Sequence, residues 1–168
     1  MQSDIYLIGC DPSVKHLAFA VYKNKTLTDY FKIKTDFTEI NKLFFGFKNK
    51  NVIFGIEKQY LHLNIATLIK LVEVRTLVTT LASVNNFSEI LTITPQEWQS
   101  LILGMNQKQK REQRKNVSML VASKIACEKI TDNDIADAIC IANYIVISQS
   151  PLPKGRGLSR EGQGQLAD

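Results

Sequence analysis

Four carboxylates, Asp11, Glu57, Asp134 and Asp137, have the types and spacing most suited to chemistry in this chain. Asp11 ends the apolar run IYLIGCD and Glu57 ends VIFGIE, whereas Asp134 and Asp137 lie three residues apart in DNDIADAICIANY. Apolar strands of this kind are typical of the centre of a sheet, and residues three apart share one face of a helix. Neighbouring strands would therefore bring the first two acids together, with the last helix adding the other two.

Unpaired carboxylates gathered in one place raise one another's pKa, and a divalent cation relieves that cost. Two such cations can align a water against a phosphodiester, which predicts nuclease chemistry. Each acid alone has an ordinary explanation: Asp11 as a turn residue before Pro12, Glu57 in a strand-end salt bridge, and Asp134 at the positive end of a helix. Asp132 is expected to be the N-cap of the last helix, and its use as a ligand in place of Asp134 stays open.

The elements that must position these acids follow an α/β pattern with a mixed sheet. The patterns predict an antiparallel meander of strands, Ile5 to Cys10, Leu17 to Tyr22 and Leu27 to Ile33, then a helix over 36–47 and buried strand Val52 to Ile56. After this strand the patterns predict a long helix from Leu63 to Leu81, a strand from Ile90 to Ile93 and a short helix. Thr94 and Glu97 are expected to cap the short helix, and Trp98 to pack it against the core. A helix following residues 108–115 and a final helix from Asn133 to Ser148 complete the predicted order.

Two segments of this pattern call for a partner. The long helix carries two apolar stripes, of which only one can cover the sheet, so the other needs a second surface. The segment 108–115, KQKREQRK, has five basic residues in eight at the entrance to a helix, which is typical either of a solvated face or of phosphate contact. Its basic residues are Lys108, Lys110, Arg111, Arg114 and Lys115.

The composition predicts one domain. The chain has 168 residues, 45% of them hydrophobic, and a formal charge of +5, which favours a polyanionic partner. Residues 1–149 are expected to form the folded domain, and 150–168, with four of the eight glycines and two of the four prolines, a disordered tail. Cys10, Cys127 and Cys140 are expected to be buried free thiols. With neither a signal peptide nor a membrane-spanning stretch recognisable, a soluble cytoplasmic protein is expected.

Three motifs together resemble the RuvC-like Holliday junction resolvases of the ribonuclease H-like superfamily: IGCDPS, FGIEKQY and DIADAICIANY. The resemblance runs from about residue 4 to 147, with Ser13 replacing the family's usual glycine. It implies a mixed five-stranded sheet with helices on both faces. It also implies a homodimeric, metal-dependent endonuclease that makes paired symmetric nicks in four-way DNA junctions. The Lys- and Asn-rich chain suits a bacterial or bacteriophage source, and hence a bacterial or phage-infected cell.

The resemblance also implies roles for particular residues. Asp11, Glu57, Asp134 and Asp137 would hold two Mg²⁺ ions, with Mn²⁺ able to substitute. The basic segment would hold the DNA backbone, with Arg114 or Lys115 nearest the scissile phosphate. Tyr60, three residues after Glu57, would stack on bases at the junction centre, although a tyrosine at a strand end also packs there for ordinary reasons. His16 and His62 are expected to be surface or loop residues.

The sequence leaves three alternative functions open. One is a nuclease of broader branched-DNA specificity, and another is a junction-binding protein without catalysis, which the retention of all four acids disfavours. The third is a nucleotide-binding protein of the actin and sugar-kinase type. That class needs glycine-rich phosphate loops, whereas Asp11 is followed here by Pro12 and Ser13.

Overall fold

A five-stranded mixed sheet forms the centre of the computed structural model, which describes residues 4–59, 64–105 and 109–149. The strands lie in the order β3-β2-β1-β4-β5. The first three are antiparallel, whereas β4 runs parallel to β1 and β5 parallel to β4. The predicted mixed five-stranded sheet is confirmed. The strands are β1 Ile5–Pro12, β2 His16–Lys23, β3 Thr26–Lys34, β4 Asn51–Glu57 and β5 Glu89–Ile93.

Helices cover both faces of this sheet, as the sequence predicts. One face packs against α1 and α2 through a cluster rich in phenylalanine, and the other against α3, α4 and α5 through a cluster that contains Trp98. The helices are α1 Phe37–Phe45, α2 Ile65–Val84, α3 Pro95–Leu103, α4 Arg111–Ala126 and α5 Asn133–Ser148. None of the helices in the described ranges is long and apolar enough to cross a membrane.

The hairpin between β2 and β3 fixes the register of the edge strand. Asn24 and Lys25, the two residues between the strands, both have positive φ, 50° and 71°, which matches the twist that a two-residue hairpin turn requires. The resulting register places Asp11 opposite Ala18, and Ala18 opposite Lys32. Directly opposed residues of antiparallel strands point to the same face. Asp11, Ala18 and Lys32 therefore form one row across three strands.

Helix α5 approaches the sheet most closely over two glycines. Gly9 of β1 pairs with Gly55 of β4. A Cβ at Gly9 would lie 2.4 Å from the backbone nitrogen of Ala142 and 2.6 Å from the carbonyl oxygen of Ala138. At Gly55 a Cβ would lie 2.6 Å from Cδ1 of Ile145. Glycine is therefore required at position 9, where the backbone of α5 lies against the sheet, whereas at position 55 the near atoms are side-chain ends that can shift.

Capping residues set where the two C-terminal elements near the acids begin. Thr94 and Glu97 form the predicted capping box of α3. Asp132 accepts hydrogen bonds from the backbone N–H groups of Asp134 and Ile135, which confirms it as the N-cap of α5. Asp134 consequently lies in the first turn of α5 and Asp137 one turn later.

The structure corrects some details of the sequence prediction. Cys127 is exposed rather than buried, because it is the C-cap residue of α4, with a left-handed φ of 56°, and the chain leaves the helix there. Cys10 and Cys140 are buried as predicted. On α2, Val74, Val78 and Leu81 are buried, and the opposite stripe stays exposed, with Ile65 at 75% and Ile69 at 54%. Tyr60, His62, Lys108 and the expected tail 150–168 lie outside the described residues.

Candidate active site

Asp11 and Glu57 lie side by side on the two central strands. The parallel register pairs Cys10 with Ile56, so the next residues along, Asp11 and Glu57, are neighbours at the C-terminal ends of β1 and β4. Adjacent strands are about 4.8 Å apart, which brings the two carboxylates within strong mutual influence. Each lies two residues beyond a glycine covered by α5, and hence on the α5 face of the sheet. The prediction that neighbouring strands join these acids is confirmed.

Asp137 reaches the same place from α5, and a serine on α4 holds it. The Ser118 hydroxyl, 1% exposed, donates to Asp137 Oδ1 at 2.5 Å. The same hydroxyl lies 3.7 Å from the Cys140 sulfur. The buried serine therefore fixes one oxygen of the Asp137 carboxylate. Sequence reasoning missed Ser118, because its only signal is one small polar residue in the apolar stripe of α4.

The pKa values of three acids rise in this setting. Burial and then the charge of Glu57 hold the pKa of Asp11 well above its usual range, with smaller contributions from Asp137 and Asp134. Burial also raises the pKa of Glu57 to about 7, against a hydrogen bond from Trp98 that lowers it. Burial raises the pKa of Asp137 to about 6, against the hydrogen bond from Ser118. Protein groups alone thus leave the cluster short of positive charge.

Trp98 is the hydrogen-bond partner of Glu57. Its indole Nε1–H donates to Glu57 Oε2 at 2.7 Å, and its ring is 1% exposed. The capping box of α3 begins four residues earlier and sets the direction from which the ring enters. Trp98 does pack its helix down as predicted, but it also orients a carboxylate of the site. The pairing spans 41 residues of sequence, and no local pattern indicates it.

Lys32 lies at the open end of the cluster. Its ammonium donates to Asp134 Oδ2 at 2.6 Å, and to Asp132 Oδ2 at 2.9 Å and Oδ1 at 3.1 Å. Its charge also lowers the pKa of Asp11. These pairings span about one hundred residues and join an edge strand to the start of α5. Sequence reasoning did not single out this lysine.

Part of the basic segment faces the acids. Arg111, Lys115, Ser118 and Ala122 recur at helical spacing, and this stripe of α4 packs towards α5. The charges of Lys115 and Arg111 both lower the pKa of Asp137. Lys115, one of the two alternatives for the residue near the scissile phosphate, is thus close enough to Asp137 to lower its pKa. Arg114 is half-buried on the same helix, and Lys110 is the N-cap residue.

The residues fit a hard divalent cation in kind. All the donors are carboxylate oxygens, which Mg²⁺ and Mn²⁺ prefer, and their mutual repulsion is the cost that such an ion removes. Within the described ranges, however, no three acidic, histidine or cysteine side chains already stand arranged to hold an ion. Lys32 occupies Asp134, and Ser118 and Trp98 each occupy one oxygen of their partners. These side chains would have to adjust for an ion to bind.

Comparisons with known proteins identify the family and the fold. The model of a family described as crossover junction endodeoxyribonuclease RuvC matches residues 7–144. The fold is similar to a Thermus thermophilus RuvC structure, with a TM-score of 0.63 and 16% identity over 84% of this chain and 92% of that one. A T. thermophilus RuvC in complex with a Holliday junction substrate gives a TM-score of 0.67 and 16% identity over 88% and 94%. None of the curated proteins compared with the chain matches its sequence.

Proposed function

The chain belongs to the crossover junction endodeoxyribonuclease RuvC family and is a junction-resolving endonuclease, and we propose that its four clustered carboxylates are the active site. The observation that carries this proposal is the meeting of Asp11 and Glu57 with Asp137 over the Gly9–Gly55 pair, with the pKa of all three raised. Active sites are where such shifts gather. A structural salt-bridge network would pair these acids with cations instead.

The proposed ligands are Asp11, Glu57, Asp134 and Asp137, holding two Mg²⁺ ions that Mn²⁺ can replace. Such ions, when bound, would supply an activated water and stabilise the leaving 3′ oxygen. The chain's own contribution is orientation. Trp98 and Ser118 each fix one oxygen of a carboxylate and leave the second available. Arg111 and Lys115 add positive charge beside Asp137, where a DNA phosphate has to approach the acids.

The proposed substrate is a four-way DNA junction in the cytoplasm of a bacterial or phage-infected cell. Support comes from the family and from the similar fold of the T. thermophilus RuvC in complex with a Holliday junction substrate. Tyr60 follows Glu57 by three residues, and we assign it to base stacking at the junction centre by its position in the sequence. Lys108, Lys110 and Arg114 join Arg111 and Lys115 in the proposed backbone contact.

We further propose a homodimer, because paired symmetric nicks need two active sites related by a two-fold axis. The exposed stripe of α2 supports this: Ile65, Ile69 and Val72 are 75%, 54% and 38% exposed on one side of the helix. A second copy packing on this stripe would cover it. Sedimentation should show a dimer, and replacing Ile65 and Ile69 together by Glu should give folded monomers. A wild-type monomer, free and on DNA, would refute the dimer.

The central test compares cleavage of four-way, three-way, flap and linear duplex DNA with Mg²⁺ or Mn²⁺. Symmetric paired nicks in the four-way junction alone identify a strict resolvase, whereas nicks in all branched substrates identify a broader nuclease. The Glu57→Gln protein should bind the junction with wild-type affinity and not cut it, because the DNA-binding cations are retained. Glu73→Gln makes the same change at an exposed position of α2 and should cut normally. Near-normal cleavage by Glu57→Gln would refute the active-site assignment.

A further inference from the structure

Lys32 places a positive charge inside the acidic site before any metal binds. Its ammonium contacts three carboxylate oxygens, at 2.6 Å on Asp134 and at 2.9 and 3.1 Å on Asp132. These are the two acids at the start of α5. One of them caps the helix through its own backbone contacts, and the other is a proposed metal ligand. The lysine therefore competes with a metal ion for the Asp134 carboxylate.

The strand register brings the lysine to this place. Lys32 pairs with Ala18, and Ala18 pairs with Asp11, so the lysine and the aspartate lie in one row on the same face of the sheet. Ala18 is fully buried and has no side chain beyond Cβ. The four-carbon stem of Lys32 can thus extend over it towards α5. A larger residue at position 18 would separate the lysine from the acids.

We propose that Lys32 is a built-in competitor of the metal ion: it neutralises Asp134 while the site lacks metal, and it must release Asp134 for an ion to bind. The inference rests on the proposed function, since it takes Asp134 as a ligand. Its consequence is a threshold. The metal concentration at which the nuclease becomes loaded is higher than the carboxylates alone would set, because binding has to displace one resident charge.

The chemistry of lysine suits a contact that is made and broken. An ammonium is a compact, strongly hydrated charge on a flexible stem, unlike the planar fork of arginine, which binds a carboxylate through two parallel hydrogen bonds. The Lys32 side chain is 30% exposed, and Asp134 is 46% exposed. The ammonium can therefore swing into water without burying an unpaired charge. Asp132 keeps its backbone hydrogen bonds when it does so, and α5 stays capped.

The test is metal binding by the full-length chain without DNA. Mg²⁺ titration by calorimetry gives the affinity directly. Trp98, the chain's one tryptophan, contacts Glu57, so its fluorescence reports independently on the site. Lys32→Met keeps the apolar stem and removes the charge. We expect it to bind Mg²⁺ about tenfold more tightly than wild type, a coupling of ordinary size between two ligands of one site. Lys32→Arg retains the charge and should bind no more tightly than wild type.

Lys34→Met is the matched control. It removes a lysine from the same strand, and none of the ion pairs in the described residues involves Lys34. Its Mg²⁺ affinity should stay within about twofold of wild type. A Lys32→Met affinity within that same margin overturns the inference. So does an equal gain in both variants, which would reflect net charge alone.

The two proposals fail in different ways. If wild type shows neither heat nor a fluorescence change with Mg²⁺ or Mn²⁺, the metal site itself is refuted. If wild type binds and Lys32→Met binds equally well, only the competitor role falls. Thermal melting gives a further check, since at a fixed ligand concentration tighter binding stabilises the folded chain more. The increase in melting temperature on adding Mg²⁺ should be larger for Lys32→Met than for wild type.

Discussion

Replacing Ser118 by alanine removes a single oxygen atom from the site and tests how Asp137 is held ionised. The hydroxyl is buried in α4 and donates to Asp137 Oδ1 at 2.5 Å. Alanine fits the same space and favours a helix slightly more than serine does. The backbone and the fold should therefore be unchanged. Only the ionised carboxylate loses a stabilising partner.

The size of the effect follows from the charge on the acceptor. A hydrogen bond to a charged group contributes about 1.5–3 kcal/mol, and one pKa unit corresponds to about 1.4 kcal/mol. We take the lower end, because Asp137 is only half-buried and water partly replaces the missing donor. The pKa of Asp137, about 6 in wild type, should thus rise by about one unit. A higher pKa means that a higher pH is needed to ionise the carboxylate.

The assay is the pH dependence of junction cleavage, paired with a carboxyl NMR titration of the metal-free chain. The acidic limb of the Ser118→Ala profile should move to higher pH by about one unit, and the two proteins should converge at alkaline pH. Ser123→Ala is the control. Ser123 lies on the same helix, where its hydroxyl contacts Met119 and Ile130 and no acid of the site. An equal loss of rate at every pH for Ser118→Ala would refute the reasoning.

Three further predictions follow from the same geometry. The melting temperature of the metal-free chain should fall as pH rises from about 5 to about 8. The folded-state pKa values of Glu57 and Asp137 lie above their ordinary values, so ionising these two acids destabilises the fold. Mg²⁺ should reverse the trend, and a melting temperature that does not change with pH would contradict the prediction. Replacing Arg111 and Lys115 together by Ala should flatten the dependence of log affinity on log salt by roughly 0.9 for each DNA phosphate that is no longer neutralised, measured against a Lys124→Ala and Lys129→Ala pair. Gly9→Ala should lower the melting temperature by several degrees, since overpacking costs about 1–3 kcal/mol. Gly46→Ala, in an ordinary helical conformation at φ of −62°, should not.

The sequence predicts the centre of this molecule well because the centre is encoded locally. Runs such as VIFGIE are apolar on both faces, so they are expected to be central strands of a sheet. An acid that ends such a run then lies at the C-terminal end of a central strand. Asp132 is predicted as an N-cap and is one, since the cap depends only on residues two and three positions away. The same holds for the capping box at Thr94. Sequence patterns whose contacts join residues only a few positions apart thus predict the structure correctly.

The partners of the acids could not be predicted in this way. Lys32, Trp98 and Ser118 contact acids 102, 41 and 19 residues away in sequence. Finding Lys32 requires the strand register, which depends on a hairpin of two residues with positive φ and an irregularity between Val21 and Tyr22. A shift of one residue would turn the lysine to the opposite face of the sheet. The exposure of Cys127 escapes prediction for a related reason, since its left-handed conformation is a property of the helix end.

The partners also distinguish one acid from the other three. Glu57 has Trp98, Asp137 has Ser118 and Asp134 has Lys32, whereas among the described residues no hydrogen bond to the Asp11 carboxylate is seen. Asp11 is at the same time held by burial and by its neighbours at a pKa well above the usual range. A metal ion would therefore stabilise the ionised Asp11 carboxylate more than the other three, and without an ion this carboxylate destabilises the fold most.

Asp11→Asn should therefore stabilise the metal-free chain while it abolishes cleavage. At pH 8 with a chelator present, its melting temperature should exceed that of wild type by several degrees, because an amide of the same shape removes a repelled charge and breaks no hydrogen bond seen in the structure. Asp137→Asn should gain less, since it gives up the bond from Ser118. The exposed Asp29→Asn change is the control and should leave the melting temperature within about one degree. If Asp11→Asn melts below wild type, the Asp11 carboxylate has a partner in the protein, and the metal ion is not what it lacks.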